Sequence, residues 1–421
     1  MLLFIRELEE RVAAMKSEHS SSAPDILLAR QPIFDRNMTL FGYELLYRQN
    51  DTAEQANFLC GDQATSLVLL NNYASLSQAT EHHRVPAFIN ITENLIKAPE
   101  ILPVKPEQVV LEVLENVTPD DKLVDALKRY KELGFKIALD DYPFTQEFER
   151  LLEHADYIKV DVLNYDMQVI QQKLDHLKNF DAQLLAEKVE DHNAYIDCLQ
   201  LGFHLFQGYF FERPQIVRGK QIPTSKQQVM DLLAEVYSET AEPDKIAEKV
   251  SRDAQLSYRL LRIINSAAYG LSRKILSIKD AVVFLGLAEL KRWIALLSFS
   301  ANDDTPPELL RTLLIRGRSC ELIAEYTQAA NKDAYFTAGL FSGIDSLLNV
   351  DLGYLINELP LDTGIKQAIL QYQGAMGETL RAVIQFEHAQ WDLMSNEVEL
   401  ELINQCYFQA IQWCDELTAS I

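Results

Sequence analysis

The sequence predicts an α/β plus all-α protein: a modified (β/α)8 TIM-like barrel with an antiparallel first strand, followed by a helical domain. Three observations lead there. Eight short apolar runs alternate with helical patterns over the first half of the chain. The first two runs are joined only by Asp35-Arg36-Asn37-Met38, too short for the crossover that parallel strands require, so they must pair antiparallel. Beyond a stretch carrying Pro214, Gly219 and Pro223, the texture turns helical.

The strand-like runs, in order, are Ile26–Arg30, Leu40–Arg48, Ala87–Ile91, Val109–Leu114, Phe135–Asp140, Tyr157–Asp161, Leu184–Val189 and His204–Tyr209. Before them, MLLFIRELEERVAAMK reads as an amphipathic helix with Leu8, Val12 and Met15 on one face, and Ser20–Pro24 as a linker. After them, Pro243 suits a first helical turn, and Ser277 with Asp280 makes a capping-box-like start. Gly286 supplies a helix stop, and Pro306–Pro307 begin a further segment. Long helical patterns run from Arg311 to Ala330 and from Glu378 to Cys414. The predicted domains are residues 1–24, a terminal helix and linker; 25–214, the barrel; and 215–421, the helical domain.

With 421 residues there is chain enough for two or three cores. A net charge of -23 argues against general binding to nucleic acid polymers or an acidic membrane face. The longest apolar stretches, such as Trp293–Leu297, fall far short of a membrane span. The five cysteines are scattered with no CxxC pair, as expected of reduced thiols in the cytoplasm.

The polar residues at the carboxyl ends of the barrel runs point to chemistry. Glu44, Asn90, Glu112, Asp140–Asp141, Lys159, Glu187 and Gln207 fall on successive runs, and strand ends of a closed parallel barrel converge on one rim. Oxygen donors of this kind suit Mg²⁺ or Mn²⁺ rather than zinc. Two such ions can activate water against a phosphodiester. A lysine pointing into a barrel mouth needs anionic company, which carboxylates or a phosphate supply. Singly, each residue is an ordinary cap, turn or solvated charge; their placement in order is what points to a site.

These same residues carry a family resemblance. Residues 25–214 resemble an EAL domain, the (β/α)8 phosphodiesterase module that opens cyclic di-GMP to pGpG. GYELLYR stands for the signature strand, with Glu44-Leu45-Leu46 in place of Glu-Ala-Leu. QPIF, FINIT, VLEVLE, ALDDY, IKVD, AEKVE and FQGYFFERP follow in the family's order. The resemblance implies that Glu44, Asn90, Glu112, Asp140 and Asp141 hold two Mg²⁺ or Mn²⁺ ions. It implies that Lys159 and Glu187 position or polarise the attacking water. Gln31, Arg48 and Gln207 would orient the ligand, and Glu115 would anchor the loop after the aspartate pair.

That loop departs from the pattern. The family follows its aspartates with Phe-Gly-Thr-Gly, whereas this chain reads Tyr142-Pro143-Phe144-Thr145-Gln146. Two flexible glycines are gone and a proline of fixed φ stands among their replacements. Hydrolysis of cyclic di-GMP is therefore one expectation, and a catalytically inactive receptor or protein-interaction scaffold the alternative.

Between Gln215 and Ile421 the only histidine is His388, so the metal chemistry of HD-type hydrolases is excluded there. Asn265–Gly270 and Ile278–Leu287 resemble the HDOD domain, a helical relative of those enzymes that usually lacks their metal site. Where some relatives keep a His-Asp step, this chain has Leu340-Phe341-Ser342-Gly343-Ile344. The EAL–HDOD order resembles a class of bacterial signalling proteins. It implies an unidentified protein partner for the helical domain, or a homodimer formed through it.

Overall fold

The computed structural model describes residues 26–49, 85–98, 102, 104–163, 167–212, 224–238, 241–265, 274–300, 307–348, 350–394 and 397–419. The expected terminal helix, the Ser20–Pro24 linker, the boundary residues Pro214, Gly219 and Pro223, Pro306 and Ser266–Gly270 lie outside the described residues. The described residues form two compact units, one built on strands and one on helices alone.

Eight strands close into a barrel in sequence order. They are β1 (Ile26–Asp35), β2 (Leu40–Gln49), β3 (Ala87–Ile91), β4 (Val109–Val113), β5 (Lys136–Leu139), β6 (Tyr157–Asp161), β7 (Gln183–Glu187) and β8 (Leu205–Gln207). β1 runs antiparallel to both β2 and β8, and the remaining pairs are parallel. The short first link is a turn held by Asp35, whose Oδ1 accepts from the backbone N–H of Asn37 and of Thr39, each at 2.8 Å. β1 extends to Asp35, beyond the Arg30 end expected from sequence. That extension sets Ile33 opposite Gln207 and closes the barrel, with a register shift between Ile33 and Phe34 just after Pro32.

The barrel interior has an apolar floor of Ile33, Phe88, Val110, Ala138, Tyr157, Leu185 and Leu205. Outside lie the short helices α1 (Glu93–Lys97) and α3 (Glu149–Leu152), with α2 (Asp121–Glu132), α4 (Met167–Leu177) and α5 (His192–Leu201). α2 shows why these segments are helical. The Asp120 side chain caps it by accepting from Leu123 N, while Leu123, Val124, Leu127 and Tyr130 bury one face at helical spacing. Asp156, just before β6, ties α2 to β5. It accepts from Lys131 and Lys136, each at 2.8 Å, and from the Ile137 backbone at 3.0 Å.

The second unit contains eleven helices among the described residues. They are α6 (Thr224–Val236), α7 (Pro243–Arg252), α8 (Ala254–Ile264), α9 (Ile278–Ser300), α10 (Pro307–Tyr326), α11 (Lys332–Phe341), α12 (Ile344–Leu348), α13 (Leu352–Glu358), α14 (Thr363–Gln371), α15 (Gly374–Glu387) and α16 (Glu397–Ala419). Pro243 opens α7, and Ser277 Oγ accepts from Asp280 N at 3.0 Å at the start of α9. The expected stop at Gly286 is a break within α9, where φ 74 and ψ 169 interrupt the helix before it resumes. The single pattern expected over Glu378–Cys414 is instead two helices. Ala389 turns left-handed at φ 52, a 3-10 turn covers Trp391–Leu393, and α16 starts afresh. Periodicity alone misses this break because Trp391 stays apolar and buried through it. No helix among the described residues is long and apolar enough to cross a membrane.

Two outcomes test the packing. Asp156 is held below its usual carboxylate range: burial pushes it up, but Lys131, Lys136 and the Ile137 N–H more than offset that. Its stabilisation is complete above the unfolded value of about 3.9 and is lost as pH falls through the lower folded value. Asp156→Asn is expected to cost about 1–3 kcal/mol in urea unfolding at pH 7, with the gap to wild type closing in acid. In the helical unit, α10 and α11 cross where a Cβ on Gly339 would stand 2.6 Å from Gly317 Cα. Gly339→Ala must force those backbones apart, and thermal unfolding is expected to show a loss of about 1–3 kcal/mol.

Candidate active site

Side chains of a strand alternate between its two faces, so a residue two places from the floor points into the same interior. Two residues beyond Phe88, Val110, Ala138, Tyr157, Leu185 and Leu205 stand Asn90, Glu112, Asp140, Lys159, Glu187 and Gln207. β1 runs the other way, and two residues before Ile33 stands Gln31. β2 adds Glu44, directly opposite Gln31 in the register. One alternation therefore sets a polar ring on an apolar floor.

Lys159 is the centre of that ring and has no solvent exposure. Its Nζ lies 2.6 Å from Asp140 Oδ1, 2.8 Å from Glu112 Oε1, 2.8 Å from Glu187 Oε1 and 3.3 Å from Glu44 Oε2. Gln207 Nε2 donates to Gln31 Oε1 at 2.9 Å and to Glu44 Oε2 at 2.5 Å, fixing the amide and the Glu44 carboxylate together. At the rim, Lys188 Nζ stands 2.5 Å from Asp161 Oδ2 and 3.5 Å from Asp141 Oδ2.

Six carboxylates thus face two ammoniums. Burial pulls Lys159 down, but Glu112, Glu187, Glu44 and Asp140 more than offset it and hold the ammonium charged. Burial, with the charge of Glu44 behind it, pushes Glu112 well above the carboxylate range. Burial likewise raises Asp141, and raises Glu187 to about 8. The site is short of positive charge.

Among the described residues no three acidic, His or Cys side chains surround a common point suited to a metal ion, because the carboxylates close on the ammonium instead. The donor chemistry nevertheless fits hard cations. Glu112 Oε2, Glu187 Oε2 and Asp141 Oδ1 are buried without a hydrogen-bond partner, and all are carboxylate oxygens of the type Mg²⁺ and Mn²⁺ take.

The loop after the aspartates is packed rather than hinged. Asp141 and Phe144 both take left-handed backbones, with φ 39 and 55. Tyr142 N donates to the Lys159 carbonyl at 3.0 Å, tying the loop to β6. The Tyr142 ring is buried, 4.9 Å from Phe144 and 6.5 Å from Phe148, and Lys173 Nζ sits 4.5 Å from the Phe144 centroid. Aromatic packing takes the place of the missing glycine geometry.

Of the residues singled out in the sequence, Gln31, Glu44, Glu112, Asp140, Lys159, Glu187 and Gln207 join one contact network. Asn90 lies beside Glu112 in the strand register, and Asp141 meets the network's rim through Lys188. Glu115 is exposed on the turn after β4. Arg48 lies on β2 opposite Leu27, and its side chain is outside the described residues. The structure adds Asp161 and Lys188 to the residues singled out in the sequence. Asp161, two residues past Lys159 on the same face, carried the signal; Lys188 carried none, since an alternating strand would turn it outward.

Comparison with known proteins agrees with this architecture. The EAL domain model matches residues 18–214 and the HDOD domain model residues 222–391. The Bacillus subtilis protein YuxH, itself uncharacterised, is 34% identical over 93% of this chain and 98% of its own. The Vibrio cholerae cyclic di-GMP phosphodiesterase CdgJ is 29% identical over 94% of this chain and 93% of its own. Among solved structures, a standalone EAL protein from Vibrio cholerae bound to c-di-GMP is 25% identical, with a TM-score of 0.37, over 46% of this chain and 93% of that one. Klebsiella pneumoniae BlrP1, in a manganese/cy-diGMP complex, is 18% identical with a TM-score of 0.38, over 45% of this chain and 56% of that one. A barrel under the first domain model, helices under the second, and a relative aligned almost end to end place this chain in one family: it belongs to the EAL–HDOD proteins.

Proposed function

We propose that the barrel, residues 25–214, binds cyclic di-GMP and hydrolyses it to pGpG, and that the helical domain, residues 215–421, engages a protein partner or a second copy of the chain. The single observation that carries the reading is the buried carboxylate ring around Lys159, with its unpartnered oxygens on Glu112, Glu187 and Asp141. The named activity of the relative CdgJ supports it. A cytoplasmic setting is supported by the free, buried thiols of Cys198 and Cys406.

Glu44, Asn90, Glu112, Asp140 and Asp141 would hold two Mg²⁺ or Mn²⁺ ions. Bound there, they supply Lewis acidity toward the phosphate and the attacking water. Hydrolysis consumes one water, whose oxygen bonds to phosphorus while the bond to the 3′ oxygen breaks and a proton reaches that departing oxygen. Glu187, its carboxyl raised by burial in the metal-free ring, would with Lys159 position or polarise the attacking water. Lys159 keeps its ammonium against the reacting phosphate, and Gln31, Arg48 and Gln207 orient the nucleotide. The aromatic packing of Tyr142, Phe144 and Phe148 supports activity, since it holds the Asp141 backbone without the usual glycines. A receptor that binds without turnover is the second reading; the exposed Glu115, turned to solvent rather than bracing the loop, favours it.

Incubation with cyclic di-GMP and Mg²⁺ or Mn²⁺ is expected to yield pGpG, and Glu44→Ala to abolish it. Calorimetric binding without product selects the receptor, and absence of both product and binding removes the reading altogether. Lys159→Met is expected to end turnover and to cost about 3–5 kcal/mol of stability in metal-free buffer, because it strands buried carboxylates. Added Mg²⁺ should restore part of that loss, as followed by thermal unfolding.

A further inference from the structure

The six carboxylates of the site lie at ion-pair distance from two ammoniums. Glu44, Glu112, Asp140 and Glu187 lie within ion-pair distance of Lys159; Asp141 and Asp161 lie within ion-pair distance of Lys188. Lys159 is fully enclosed, whereas the Lys188 side chain is half exposed at 50%. Asp161 is itself buried and also receives the Leu163 N–H at 2.9 Å.

Lys188 reaches this place through an unusual backbone. It follows the last residue of β7 with φ 56, a conformation glycine adopts freely and lysine does not. The kink is fixed from the far side. Val189 N donates to the Gln207 carbonyl at 3.0 Å, and Phe210 N to the Val189 carbonyl at 3.1 Å. Gly208 at φ 143 lets the two backbones approach so closely that a Cβ there would stand 2.2 Å from Val189 O. The fold thus keeps a lysine where a glycine would be unstrained, and the visible return is the ammonium at the rim.

We infer that Lys188 is a resident counter-cation of the barrel site. By holding Asp141 Oδ2 and Asp161, it supplies positive charge at the outer half of the ring and weakens the binding of the second divalent ion there. Asp141 then offers inward only Oδ1, the oxygen that is buried without a hydrogen-bond partner. This inference rests on the metal-binding reading of the barrel. It makes Lys188 a positioning and charge-balancing residue, not a catalytic one.

Calorimetric and electron paramagnetic titrations with Mn²⁺ alone, without nucleotide, test it on the full chain. Lys188→Gly removes the charge and relieves the left-handed strain while leaving buried Asp161 without its ion pair, so thermal unfolding first checks that the variant is folded. It is expected to tighten the weaker Mn²⁺ site by about tenfold, the effect of one nearby charge on a divalent ion at a half-exposed position, with the gain shrinking as salt is added. Lys188→Arg keeps the charge and is expected to titrate as wild type. If wild type binds Mn²⁺ and Lys188→Gly binds it equally or more weakly, this inference fails while the metal reading stands. If Lys188→Arg tightens like Lys188→Gly, the charge is not the cause and the inference fails. If no form binds Mn²⁺, the inference and the proposed function fail together.

Discussion

The buried ammonium of Lys159 is the interaction on which the barrel site depends. Four carboxylates within 3.3 Å of one nitrogen would repel one another in a low-dielectric interior, and the lysine makes their convergence tolerable. It does so incompletely. Glu112 and Glu187 are still pushed upward by burial, and three carboxylate oxygens remain without partners.

The barrel supports that arrangement through plain alternation. The apolar floor of Ile33, Phe88, Val110, Tyr157, Leu185 and Leu205 fills the interior beneath the ring. Water is excluded below, and each charged side chain one step along its strand is directed at the others. The antiparallel β1 fits the same scheme in reverse, which is how Gln31 arrives beside Glu44 and Gln207. A slip of one residue in β4 would replace Glu112 by Leu111 or Val113 and turn the charge outward.

The loop after Asp141 shows that one geometric task has more than one solution. Glycines hold such a turn by freedom of φ; here two non-glycine residues accept positive φ while ring packing and a hydrogen bond to β6 secure them. Lys188, across the same ring from that loop, is a third non-glycine at positive φ. Both unusual backbones border the carboxylates and both are braced by neighbouring strands, as expected where surrounding structure over-determines a strained residue.

By itself the sequence determined the barrel, its antiparallel opening and most of the ring. Alternation, strand spacing and a four-residue link are local properties, and local properties are written in order along the chain. It also marked the helix starts at Ser277 and Pro243, where the signal lies within one turn of its effect. Only the tertiary structure decided which carboxylate meets which ammonium, since Glu44 and Glu187 are brought to Lys159 by closure of the barrel rather than by proximity in sequence. It alone brought in Lys188, through a left-handed turn that no periodicity reveals, and it alone turned Glu115 to solvent. The break of the last helical pattern at Ala389 was hidden for the same reason: an apolar residue may be buried by a turn as well as by a helix, and only packing distinguishes the two.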